Sequence, residues 1–285
     1  MKAAGDYGSR RPGRLRTLLA FVAIATFTTG AMATKAAADT VEIYAAGSLR
    51  GAVEALTKEL AADAGIDIKA EFGGSGSLRQ RIEGGEHPDL FLSADMDSPR
   101  KLAAAGRTVV PPVAFARNRM CLVAQRSAGV TPENLVDRML AEDLRLRTST
   151  PIVDPAGDYA MAIFDRIDAR HPGAGKILRD KAQRVADAEK SAAPPAGLSG
   201  IASLFRNNRI DMMVTYCSVR TMIEGEVPDL ATVVFPPELE PKPVYGMAVL
   251  SDKPSAMRLA LIILSEKGQA IIAKAGLLPV LDTGP

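Results

Sequence analysis

Apolar positions along this chain fall into two rhythms, short unbroken runs and runs spaced three to four residues apart, and the chain switches between them many times. Val41-Glu-Ile-Tyr-Ala-Ala46 is an apolar run of strand length, and beyond Gly47-Ser48 the residues Leu49, Val53, Leu56 and Leu60 recur at helical spacing. The pattern opens strand, turn, helix. Ile66 to Phe72 alternates as a second strand, Ser77 to Glu83 predicts a short helix, and Leu90 to Ser93 predicts a third strand after the His87-Pro88 break. A helix over 98–105 and a buried strand over 119–124 follow. Thr131-Pro-Glu-Asn predicts a helix start with Pro in its first turn, Arg147 to Val153 a strand, and Asp158 to Ala169 a helix that ends before His171-Pro172. A helix from Leu198 to Asn207, strands over 211–216, 232–235 and 244–250, and one long helix from Ser255 to Ala275 closed by Gly276 complete the prediction. Repeated alternation of strand and helix is the signature of an α/β protein with parallel sheets covered on both faces. With no low-complexity linker and no internal repeat, two lobes can be joined only by short segments that pass between them more than once. That is a hinge, with a ligand cleft at its mouth.

The first residues change the picture of charge. Arg10, Arg11, Arg14 and Arg16 precede an apolar run from Leu18 to about Phe27 and the small-residue sites Ala31-Met-Ala33 and Ala36-Ala-Ala38, which is the order of a secretory signal peptide. A leader over 1–38 holds six of the 35 basic residues and one of the 33 acidic ones, so the remainder carries 29 basic against 32 acidic. A mildly acidic mature chain gives no support to a nucleic-acid or anionic-membrane surface. The chain has two cysteines, Cys121 and Cys217. In an exported protein they either form a bridge or sit as two buried apolar residues, and the sequence leaves both open.

Candidate chemistry lies where strands hand over to helices. Gly47-Ser48, Gly74-Ser75-Gly76-Ser77, Pro155-Ala156-Gly157 and Gly197-Leu198-Ser199 each place small or hydroxyl residues at a helix start, where backbone N–H groups have no intrahelical partner and the helix dipole is positive. Four such ends converging on one point bind an oxyanion; singly, each serine is also an ordinary helix cap. Enzyme signatures are weak. The glycine-rich loop lacks the Lys and Ser/Thr of a phosphate-binding P-loop and the last Gly of a nucleophile elbow, and the two histidines, His87 and His171, stand before prolines. No His or Cys pair has metal-site spacing.

Taken in order, Ala45-Ala-Gly-Ser48-Leu, Phe72 to Ile82, Pro88-Asp-Leu-Phe-Leu-Ser-Ala-Asp95, Asn118-Arg-Met-Cys-Leu-Val123, Asp154-Pro-Ala-Gly-Asp-Tyr-Ala160 and Val214-Thr-Tyr216 resemble the periplasmic molybdate-binding proteins that serve ABC importers. The resemblance runs from Val41 to Gly276-Leu-Leu-Pro-Val280. It implies a two-lobed periplasmic binding protein of the type II fold, with residues 39–117 and 231–285 in one lobe and 118–230 in the other, each built on a mostly parallel sheet. It further implies a monomeric carrier, without cofactor or catalytic residue, that closes over molybdate or tungstate and delivers it to a membrane permease. Ser48 and Ser75 match the binding serines, Ala156 and Leu198 match main-chain N–H donors, and Tyr216 matches a phenol donor. The chain also departs from the family: Val219 stands in place of an acid, Asp154 directly precedes Pro-Ala-Gly, and Tyr245-Gly246 replaces a Tyr-Pro pair. Another small anion is the alternative ligand, with Arg220 turned into the cleft to hold a carboxylate or phosphate. A serine hydrolase built on Ser75 is the remote alternative.

Overall fold

The apolar runs assemble into two separate sheets. The structure, a computed structural model, describes residues 39–61, 64–189 and 200–280; the expected leader over 1–38 and Leu198 lie outside them. All described residues belong to one compact unit.

Strands β1 (Asp39–Ala46), β2 (Ile66–Gly73), β3 (Leu90–Ser93) and β4 (Val113–Arg117) begin the first sheet. The chain then leaves it to build the second sheet from β5 (Met120–Gln125), β6 (Leu146–Thr148), β7 (Met212–Tyr216) and β8 (Leu230–Val234). It returns with β9 (Val244–Val249) and β10 (Leu278–Pro279). Strand order is β10-β4-β9-β3-β1-β2 in the first sheet and β6-β7-β5-β8 in the second. Residues 118–119 and 235–243 are the two crossings, as a hinge requires, and β8 places the second crossing beyond Val234 rather than at residue 231.

The sheets are mixed rather than mostly parallel. Strand β1 pairs in parallel with β2 and β3, and β6 with β7, but β9 runs antiparallel to both β3 and β4, and β5 antiparallel to both β7 and β8. The reason is topological: a chain that comes back from the other sheet through a short crossing re-enters from the opposite end. Strand β1 shows how the pattern decides burial, with Val41, Ile43 and Ala45 sealed in the core while Glu42 faces solvent. Strand β5 is buried along nearly its whole length, between two neighbours and under helices, and reads as an unbroken apolar run.

Helices α1 (Arg50–Leu56), α2 (Ser75–Glu83) and α3 (Asp97–Ala104) flank the first sheet. Helices α4 (Leu135–Leu140), α5 (Pro155–Asp168), α6 (Ala174–Glu189), α7 (Gly200–Arg206) and α8 (Ser218–Ile223) belong with the second, and α9 (Pro254–Leu264) and α10 (Glu266–Lys274) return to the first. Several boundaries differ from the prediction. The Thr131 helix starts only at Leu135, because Thr131 and Asn134 hydrogen-bond each other's backbone N–H in a preceding turn. The strand expected to reach Val153 stops at Thr148, and α5 starts three residues earlier than predicted. The long C-terminal helix breaks at Ser265, whose extended backbone and side chain cap α10 by accepting from Gly268 N.

Cys121 and Cys217 form a disulfide, with Cα atoms 5.0 Å apart. Because Met120 lies opposite Tyr216 across the β5–β7 pair, the bridge ties the two strands where Tyr216 leaves the sheet.

Candidate functional site

Parallel strands deliver their carboxyl ends to one edge of a sheet, and ligands of open α/β folds collect there. In the first sheet the β1–β2 register runs to Ala46 opposite Gly73, so the chain turns into Gly47-Ser48 and into Gly74-Ser75 side by side. In the second, β6 and β7 end at Thr148 and Tyr216. The two edges face each other across one cavity of about 480 Å³, whose wall includes Ser48, Ser149, Asp154, Ala156 and Tyr216.

Ser48 is held by a chain of side-chain hydrogen bonds. Its Oγ lies 2.9 Å from the Tyr245 hydroxyl, which in turn accepts from Asn118 Nδ2 at 3.0 Å. The Asn118 amide orientation is fixed because its Oδ1 accepts from Arg119 N and its Nδ2 also donates to Ser218 Oγ at 2.8 Å. Either hydroxyl of the Ser48–Tyr245 pair can donate; with Tyr245 as donor, the Ser48 proton is left for a ligand. Burial pushes the Tyr245 phenol up, so it remains a donor at neutral pH. Gly246, where the family pattern has proline, lies under a tight roof: a Cβ there would sit 2.7 Å from Met96 Sδ and 2.9 Å from Asp95 O.

Tyr216 is buried between Tyr159 and Tyr245, edge to face with ring centroids 6.2 and 5.5 Å away. Burial likewise raises its phenol, with Tyr245 and Asp154 adding to the effect. Its hydroxyl reaches Ala94 O at 3.5 Å, a long contact that leaves the proton weakly engaged. Ser75 reaches the other side of the same residue, its Oγ accepting from Ala94 N at 3.0 Å. Ser75 is fully buried and outside the cavity wall, so it meets Tyr216 through Ala94 rather than beside Ser48. Its partner is the main-chain amide of Ala94, which donates to it.

Ala156 lines the cavity, but its N–H is engaged inside the protein: Asp154 caps α5 and accepts from Ala156 N at 3.0 Å through Oδ1. Arg220 points elsewhere. Its guanidinium donates to the Val227 and Pro228 carbonyls and pairs with Glu224, so it does not supply a cationic end to the cleft. Arg147 and Arg209, which the sequence reading passed over, line the cavity instead, with Met213 and Met222 forming an apolar stretch between sheet and helix. No sequence signal marked them, because they reach the same wall from separate segments.

The two edges also touch directly. A Cβ on Gly74 would lie 2.3 Å from Val153 O, and one on Gly76 would lie 1.8 Å from Ile152 O. Ser77 N donates to Val153 O at 3.3 Å, and the segment is held by Asp158 Oδ1, which accepts from Ile152 N at 3.0 Å. Ile152 adopts φ +71°, a left-handed conformation that is strained for a β-branched residue, and its side chain is exposed.

Comparison with known proteins places these features in a lineage. The family model described as bacterial extracellular solute-binding protein matches residues 41–278. An uncharacterized protein, PM1146, of Pasteurella multocida is 34% identical over 245 residues, covering 85% of this chain and all of that one. The molybdate-binding protein ModA of Escherichia coli is 27% identical over 222 residues, covering 74% of this chain and 77% of its own length. Among solved structures, the periplasmic molybdate-binding protein of Azotobacter vinelandii superposes with TM-score 0.66 at 19% identity, covering 84% of this chain and 98% of that one. The sulfate-binding protein SubI of Mycobacterium tuberculosis superposes with TM-score 0.69 at 16% identity, covering 85% and 88%. At such identities the structural likeness is one of fold.

Proposed function

The chain belongs to the bacterial extracellular solute-binding protein family, and from that premise we propose that it captures a tetrahedral oxyanion, molybdate or tungstate, in the periplasm and delivers it to the permease of an ABC importer. One observation carries the reading: Ser48 from the first sheet and Tyr216 from the second line the same cavity as neutral donors. A fully deprotonated dianion accepts hydrogen bonds only, and hydroxyls satisfy it without the cost of burying a cation. Ser48 is oriented by the Tyr245–Asn118 hydrogen bonds, and Tyr216 holds its proton because burial raises the phenol. Bringing the two sheets together completes the donor set and gives the permease a liganded shape to recognise. The protein acts as a monomer, without a cofactor, after loss of its leader near residue 38.

A second reading has its own observation. A cavity of about 480 Å³ is of the size that takes small organic molecules, and Met213, Met222, Arg147 and Arg209 extend its wall beyond what a compact ion touches. An organic anion with a carboxylate or phosphate head fits that extension.

Calorimetric titration with molybdate, tungstate, sulfate and phosphate separates the two. Tight one-to-one binding of the first two, with none of the last two, is the expected result. Absence of heat with all four, from a protein that melts cooperatively, overturns the molybdate reading and moves the ligand search to organic anions.

A further inference from the structure

Asp154 is an unexpected neighbour for an anion. It lines the cavity with Ser48 and Tyr216, its Oδ1 accepts from Ala156 N at 3.0 Å, and the Ser149 hydroxyl also hydrogen-bonds its carboxylate. The carboxylate thus occupies the main-chain donor at the start of α5 that a bound oxyanion needs. Asp158 on α5 and Asp95 beyond β3 are the charges that act on it most strongly, and both are acidic. Tyr216 on β7 lines the same space as a neutral phenol, and Tyr245 on β9 lies behind Ser48. Arg147 and Arg209 stand in the same cavity wall, each engaged in interactions of its own.

A carboxylate and a deprotonated oxyanion are both acceptors. Side by side in a cavity they repel and have no hydrogen bond to share; one proton between them supplies a short charge-assisted bond and removes one unit of the repulsion. Burial already pushes the Asp154 carboxyl up, and Asp158 and Asp95 push it further, so it takes that proton more readily than a surface aspartate does. We propose, resting on the oxyanion reading above, that the site takes its anion together with one proton, held between the Asp154 carboxylate and an oxygen of the ligand. For molybdate, which arrives fully deprotonated, the proton comes from solvent and rests on Asp154. Asp154 is then the residue that makes affinity depend on pH.

The test is titration of the protein with sodium molybdate at pH 7.5 in two buffers of different ionisation enthalpy, repeated between pH 6 and 8.5. The expected result is uptake of about one proton per molybdate, with affinity falling about tenfold for each pH unit above the carboxyl's free-state value. In Asp154→Asn the amide oxygen still caps Ala156 N, so the helix start is kept; proton uptake is expected to vanish and the affinity to become flat with pH. Tight molybdate binding by the unaltered protein with no proton uptake overturns the inference while leaving the oxyanion reading intact. A pH-dependent uptake that persists in Asp154→Asn assigns the proton elsewhere and also overturns it. No molybdate binding at any pH by a folded protein removes the oxyanion reading and this inference with it.

Discussion

Replacing Gly76 with alanine tests whether binding depends on the contact between the two sides of the cleft. The added Cβ would lie 1.8 Å from Ile152 O, whereas side-chain Cβ atoms essentially never come within 3.0 Å of another heavy atom, so the facing backbone must retreat by about 1.2 Å. Ile152 cannot absorb this locally, since its φ of +71° is already strained and its N–H is tied to Asp158. The Ser77 N to Val153 O hydrogen bond is lost, at about 0.5 to 1.5 kcal/mol. Withdrawal of the second side also takes Tyr216 away from a ligand seated at Ser48, and a hydrogen bond to a charged group contributes about 1.5 to 3 kcal/mol. Together these weaken binding by about 2 to 4 kcal/mol, or roughly 30- to 1,000-fold. The fold itself is expected to survive, because α2 is intact and each sheet keeps its own core, so Tm stays within a few degrees. Calorimetric titration and a melting curve on the same preparation read both quantities. A Gly76→Ala protein that binds molybdate as tightly as its parent refutes the reasoning, for the glycine would then serve only local packing.

Other perturbations read other parts of the structure. Tyr216→Phe is expected to weaken molybdate binding by about 1 to 3 kcal/mol with little change in Tm, since its 3.5 Å contact to Ala94 O contributes little to folding; equal affinities in calorimetry would remove it from the site. Ser75→Ala differs, because it strands the buried Ala94 N–H, so the melt should show a loss of about 1 to 3 kcal/mol of stability as well. Removing the Cys121–Cys217 bridge, which closes a loop of 96 residues, is expected to cost about 4 to 5 kcal/mol in denaturant unfolding, and an unchanged midpoint would contradict that. Burial pushes the Asp89 carboxyl up, yet the Glu42 amide, the Ser251 hydroxyl and the Lys253 ammonium hold it below its ordinary value. A carboxyl that is the stronger acid when folded contributes fully above its unfolded value near 4 and loses that contribution as pH falls through its folded value. Asp89→Asn should therefore be less stable than its parent at pH 7, with the difference in Tm shrinking below about pH 4.

The sequence made the strands legible wherever burial leaves an unbroken apolar run, as at Leu90–Ser93 and Met120–Gln125. Helix α6 escaped notice because its buried stripe is mostly small, with Ala174, Leu178 and Ala182 among many charged residues, and small side chains barely register as a period. The break at Ser265 was hidden by an apolar period that continues on both sides, although a serine three residues before a glycine amide is a capping signal. At the site, the hydroxyls and the small residues at helix starts were visible because they are local features. What faces them was not. Asp154 stood out only as a departure from the family pattern, and Arg147 and Arg209 arrive from separate segments, while Arg220, a cleft cation only in the alternative reading, donates to the Val227 and Pro228 carbonyls. Local chemistry is written in local sequence; the direction in which a long side chain turns is decided by the packing of the whole sheet.

The most direct test of the central claim is a crystal structure of the protein with molybdate, with diffraction recorded at the molybdenum absorption edge. The account predicts a single anomalous peak in the cavity, with anion oxygens within hydrogen-bond distance of Ser48 Oγ and the Tyr216 hydroxyl. A peak remote from both residues, or none in crystals soaked well above the measured Kd, would contradict it.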